Sequence, residues 1–90
     1  MPDKEAIERK ITVLKEFNVK TLTGIGSIYY SAQQRDLALY FFTLAEKIDA
    51  TSPEVLNQIA VIYTEMRDID KSIEYYERGI TQATKNPNND

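Results

Sequence analysis

The 90-residue sequence contains neither cysteine nor histidine. The first absence excludes disulfides and thiolate metal sites. The two together leave Ser27, Ser31, Ser52 and Ser72 without an obvious base to activate them, so nucleophilic catalysis lacks its usual parts. An enzyme is not expected, and no metal-ligand or cofactor set stands out. Long hydrophobic runs are missing as well. No window approaches the roughly 20 uninterrupted apolar residues of a membrane-spanning helix, and Met1-Pro2-Asp3-Lys4-Glu5 lacks a basic start leading into an apolar run. The expectation is a soluble, unexported chain that keeps clear of the membrane, with the cytoplasm as the default compartment. Positive charge is scarce too: the net charge is -3 and the basic residues are scattered, so a phosphate-neutralising surface for nucleic acid is not expected.

What is present suits a folded domain. Hydrophobic residues make up 42% and charged residues 28%, too apolar for a disordered tail. A chain of this size buries only about 60% of its unfolded surface, which limits it to one compact module of modest stability.

The sequence repeats itself. A shift of 34 positions brings Leu22 onto Leu56, Ile25 onto Ile59, Ile28 onto Ile62, Tyr29 onto Tyr63 and Asp36 onto Asp70 without a gap. Similar types coincide at Gly26 and Ala60, Ala38 and Ser72, Leu39 and Ile73, Phe42 and Tyr76, and Ala45 and Gly79. Leu22, Ile25, Ile28 and Tyr29 mark one helix face, and Ala38, Leu39, Phe42 and Ala45 mark the next. The short polar connections Gln33-Gln34-Arg35 and Arg67-Asp68-Ile69 make neighbouring helices antiparallel. Asn18, Ser52 and Asn86 hold N-cap positions at the same period, and Pro53 suits a first helical turn. A further helix is expected before the repeats, from about Asp3 to Phe17, with Ile7, Ile11, Leu14 and Phe17 on one face. Leu14 lies 34 positions before Ile48, which suggests that this helix fills the second-helix slot of a preceding half repeat.

These residues resemble the tetratricopeptide repeat family, in the order Leu22, Ile25-Gly26, Tyr29, Ala38, Phe42, Ala45, then Leu56, Ile59-Ala60, Tyr63, Ser72, Tyr76, Gly79. The sequence departs from the family at the turn, where Gln33 and Arg67 replace glycine, and at Ala50 and Thr84, where proline would stand. The resemblance implies an all-α fold of about five helices, antiparallel hairpins stacked as a right-handed solenoid. One domain over residues 1–90 would comprise an N-terminal helix at 3–17, repeats at 19–52 and 53–86, and a tail at 87–90. It implies that the first helix of each hairpin lines a groove for a peptide or helix of another protein. The groove positions carried over are Thr23, Ser27, Tyr30, Ser31, Asn57, Val61, Thr64 and Glu65. Thr23 and Ser27 stand where family members that clamp a chaperone's terminal carboxylate place Lys and Asn, so that mode is not expected.

Other motifs have plainer explanations. Gly24-Ile25-Gly26 lies within a helical stripe and lacks the rest of a phosphate loop, while Asp68-Ile69-Asp70 lacks the glycine and glutamate of a calcium loop. Tyr29, Phe42, Tyr63 and Tyr76 occupy repeat-defining positions and are read as core. Ile73, Tyr76 and Ile80 also mark the last helix of the sequence, whose apolar side is expected to be partly uncovered; that points to a partner, to self-association or to a piece of a longer repeat array. This suggests a second function, a structural subunit or dedicated chaperone that self-associates, as a homodimer for instance, or covers a client helix through this end.

Overall fold

The computed structural model describes residues 3–85, all in helices and short connections. The cap expected at Asn86, Pro87 and the tail at 87–90 lie outside the described residues. Four helices follow one another: α1 (Lys4–Ser31), α2 (Arg35–Ile48), α3 (Pro53–Glu65) and α4 (Ile69–Lys85). Helices α1 and α2 form one hairpin, α3 and α4 a second, and α2 packs on α3 to join them.

The expectation of about five helices is corrected to four among the described residues. The chain passes through Asn18 without a break, and α1 is a single helix of 28 residues. Between Glu16 and Leu22 there is no glycine or proline, and an asparagine in a helix interior costs well under about 1 kcal/mol, less than it costs to end one helix and nucleate another. Asn18 is therefore no cap. The cap of α1 is Asp3, whose carboxylate accepts the Glu5 N–H at 3.0 Å. Because no turn separates Leu14 from Leu22, the N-terminal half of α1 does not fold back as a second helix of a preceding hairpin. At about 1.5 Å per residue, α1 is roughly 42 Å long and α2 roughly 21 Å, so the first turns of α1 project beyond α2 and the molecule measures 53 × 30 × 19 Å. Ile7, Ile11, Leu14 and Phe17 are exposed on that projection.

The connections are tighter by one residue than the sequence suggests, because Arg35 and Ile69 already belong to helices. Both hairpin turns close in the same way. Gln33 N–H donates to Tyr30 O and Gln34 N–H to Tyr29 O; Arg67 N–H donates to Thr64 O and Asp68 N–H to Tyr63 O. This double closure needs one left-handed residue, and Gln33 and Arg67 supply it at φ 63° and 66° without being glycine. At the other joint, Ser52 Oγ accepts the Val55 N–H and Pro53 opens α3, as the sequence suggests.

The core lies where α2 meets α3. Ala38, Phe42 and Ala45 from α2 interlock with Val55, Ile59 and Ile62 from α3, while Val19, Leu22, Tyr29, Leu39, Tyr63 and Tyr75 pack around them. Phe42 is fully buried, which stabilises the fold by about 2–3 kcal/mol relative to an exposed ring. Tyr76, its counterpart on α4, is not core: it is 37% exposed, because among the described residues no helix lies beyond α4.

Candidate functional site

The carried-over groove residues do not form one continuous surface. Thr23 and Ser27 lie in a cleft of about 460 Å³ between α1 and the start of α3. Glu16, Val19, Lys20 and Gly24 complete its α1 wall, and Asp49, Ser52, Glu54 and Val55 close the other side. Helical periodicity accounts for the α1 wall: positions 16, 20, 23 and 27 recur at intervals of four and three on one face. The α3 wall is set by the local start signal. Ser52 and Pro53 begin the helix there and hold Glu54 and Val55 at the rim. Three carboxylates and one amine, from Glu16, Asp49, Glu54 and Lys20, line this space, giving it an acidic balance over an apolar floor of Val19 and Val55. Part of the Asp49 carboxylate is already used in accepting the Thr51 N–H at 2.9 Å.

Tyr30, Ser31 and Glu65 meet at the other end of the same helices, in a smaller depression shared with Gln33 and Arg35. Glu65 is the hub. The Tyr30 hydroxyl donates to its Oε2 at 2.7 Å, and Arg35 Nε donates to its Oε1 at 2.9 Å. The hydroxyl of Tyr30, then the guanidinium of Arg35, hold the Glu65 carboxyl below the usual carboxylate range. The same hydrogen bond, with partial burial and the nearby negative charge, pushes the Tyr30 hydroxyl up. This pair ties α1 to α3 and to the start of α2.

Asn57, Val61 and Thr64 do not join either group. Asn57 borders a third hollow, between α3 and α4, with Pro53, Tyr76, Gly79, Ile80 and Ala83. The Thr64 hydroxyl is in contact with the Ser72 hydroxyl and within hydrogen-bonding reach of Ala60 O. Val61 is half-buried on α3.

Sequence reasoning missed Glu16, Lys20, Asp49, Ser52 and Glu54 as cleft residues. Lys20 and Glu54 were within reach, because each lies one turn before a residue that was named (Thr23, Asn57) and they stand 34 positions apart. Glu16 was hidden by the break expected at Asn18. Among the described residues no group of three or more acidic side chains could hold a metal ion. No helix among them is long and apolar enough to cross a membrane.

The profile of the tetratricopeptide repeat family matches residues 53–86, the span that contains α3 and α4. Residues 53–86 form a tetratricopeptide repeat. The hairpin before this repeat places its small and aromatic residues at the same offsets, with Gly26 closely packed against Phe42. Two proteins are similar over most of the chain. The uncharacterized protein ycf37 of Porphyra purpurea is 30% identical over 82 residues, covering 91% of this chain and 44% of that protein. Its namesake in Pyropia yezoensis is 27% identical over 84 residues, covering 93% and 44%. The chain thus spans less than half the length of these relatives, and no solved structure matches it.

Proposed function

We propose that the chain is a protein-interaction module, an adaptor or scaffold, that binds an extended or helical segment of another protein in the cleft between α1 and the start of α3. The observation that carries this reading is the make-up of the cleft. An apolar floor at Val19 and Val55 is rimmed by hydroxyls at Ser27 and Ser52 and by more acidic than basic groups, the mixture that grips a side chain and orients its polar end. The tetratricopeptide repeat over residues 53–86 supports a protein as the ligand. With Glu16, Asp49 and Glu54 outnumbering Lys20, the favoured segment carries an apolar residue beside a lysine or arginine.

A displayed library of random peptides, selected on the folded chain, tests the reading. Enriched sequences should pair an apolar residue with a basic one. Their binding should be lost with Ser27→Arg, which fills the cleft from an exposed position, and weakened with Glu54→Lys. A library that yields no binders, or binders indifferent to both substitutions, removes the cleft from consideration.

A further inference from the structure

The central junction is built from two sets of three side chains: Ala38, Phe42 and Ala45 on α2, and Val55, Ile59 and Ile62 on α3, all buried. The 34-residue period carries each set to one end of the molecule. Moved forward, the α2 set becomes Ser72, Tyr76 and Gly79 on α4; moved back, the α3 set becomes Thr21, Ile25 and Ile28 on α1. On α4, two small residues flank an aromatic ring just as Ala38 and Ala45 flank Phe42. Ser72 and Gly79 are buried against α3 of their own hairpin, Ser72 beside Thr64 and Gly79 beside Leu56 and Pro53, and among the described residues the open part of this face is Ile73, Tyr76 and Ile80. Ile80, beside Tyr76, is 64% exposed and Ile28 is 70% exposed, whereas Ile62, the counterpart of Ile28, is fully buried. The first and last helices thus display the two halves of a contact that the chain already makes once.

The polar links across the centre change in a concerted way. There, Glu46 accepts hydrogen bonds from Tyr75 and Arg78. At the ends the same period puts Ile80 in place of Glu46, and Phe41 and Leu44 in place of Tyr75 and Arg78. A charged acceptor and both of its donors have become apolar together. Likewise the Arg35–Glu65 ion pair has Ile69 and Ser31 as its counterparts, so no charge is left to be stranded by contact. Phe41 stacks on Tyr29 at 5.5 Å as Tyr75 stacks on Tyr63 at 5.7 Å, so the ring is placed as its counterpart is, without the hydroxyl that would need an acceptor from an α4 packed against it.

We propose that the exposed face of α4 receives α1 of a second copy of this chain. The copies stack head to tail, with Tyr76 of one, between its buried neighbours Ser72 and Gly79, against Thr21, Ile25 and Ile28 of the next, and Ile80 of one against Phe41 and Leu44 of the next. The contact is heterologous, so two copies leave one α1 face and one α4 face unused and a further copy can add, until the rotation per copy closes a ring. It uses neither wall of the acidic cleft and is independent of peptide binding there.

Sedimentation velocity of the 90-residue chain, in a concentration series up to about 1 mM, tests the proposal. The mass should rise with concentration past that of a dimer. Ile28→Glu and Ile80→Glu, both at exposed positions, should each be monomeric with unchanged helicity, and Ile28→Ser and Ile80→Ser should weaken stacking in the same sense. The decisive sample is an equimolar mixture of Ile28→Glu and Ile80→Glu. One intact α4 face and one intact α1 face then remain, so the mixture should form a heterodimer and nothing larger. A wild-type chain that stays monomeric, an Ile80→Glu chain that still associates through paired α1 helices, or a mixture that stays monomeric would each overturn head-to-tail stacking.

Discussion

A methyl group added to Gly26 would stand 2.9 Å from Cε1 of Phe42. The α1–α2 hairpin closes on that contact, since the ring is fully buried and cannot swing into solvent. Gly24, two residues earlier, has nothing within 4 Å of the same added atom. The two glycines should respond oppositely to one substitution. Gly26→Ala should destabilise the fold by about 1–3 kcal/mol through overpacking. Gly24→Ala should stabilise it by up to about 1 kcal/mol through helix propensity. Urea denaturation of both variants distinguishes them, and a shift of the same sign in both would refute the packing assigned to Phe42.

Gln33 and Arg67 take the left-handed conformation that glycine adopts without a Cβ penalty. Gln33→Gly and Arg67→Gly should each raise stability by about 0.5–1 kcal/mol, the steric relief being partly offset by the greater freedom of glycine in the unfolded chain. Departure from additivity in the double variant would measure the coupling of the two turns through Glu65, which pairs with Tyr30 and Arg35 on either side of Gln33. Chemical denaturation midpoints at unchanged slope provide the check.

Glu65 and Tyr30 give the fold a pH signature at both extremes. The carboxyl of Glu65 is held low by Tyr30 and then Arg35. Its contribution is therefore present above the unfolded carboxylate pKa and is lost as pH falls through the lower folded value. The Tyr30 hydroxyl is pushed up by its bond to Glu65. Its contribution is present below the unfolded tyrosine pKa and is lost as pH rises through the higher folded value. Tyr30→Phe should bring the Glu65 titration, followed by carboxyl NMR, back up towards the ordinary range. An unchanged Glu65 titration would mean that the hydroxyl does not hold the carboxylate.

Glu46 links α2 to α4 across the central junction, accepting from Arg78 Nη2 at 2.7 Å and from the Tyr75 hydroxyl at 3.2 Å. The Arg78 guanidinium also lies over the Tyr75 ring, 4.7 Å from its centre. Glu46→Ala should cost about 1–2 kcal/mol, the lower end reflecting the solvent that still reaches Arg78. Glu46→Gln, which keeps an acceptor for the hydroxyl, should cost less. Equal losses in thermal melts of the two variants would leave packing alone as the role of the side chain.

Much of this architecture was legible in the residues. The gapless 34-residue self-match placed both hairpins, and Ser52-Pro53 marked the start of α3, because helix faces and caps are local features that a short stretch of sequence specifies. Asn18 misled for the same reason. Asparagine suits a cap, but it also fits a helix interior at small cost, and the flanking stretch from Glu16 to Leu22 offers nothing that ends a helix. The candidate site was less legible. Thr23 and Ser27 were found from their place in the repeat, whereas Asp49, at the end of α2, and Glu54, in the first turn of α3, flank a connection whose path depends on how α3 packs.

The sequence by itself determined the helical periods, the spacing of the repeat and the small residues that let Gly26 and Phe42 approach, since these follow from side-chain size and backbone preference along one strand of chain. Only the tertiary structure decided which copy of each repeated residue is buried. Ile59 and Ile25, like Phe42 and Tyr76, stand at equivalent positions, and they differ in exposure because α2 and α3 have each other as neighbours while α1 and α4 each face outward on one side. Burial is a property of the neighbour as much as of the residue, and a periodic pattern assigns the same face to every copy whether or not another helix lies against it.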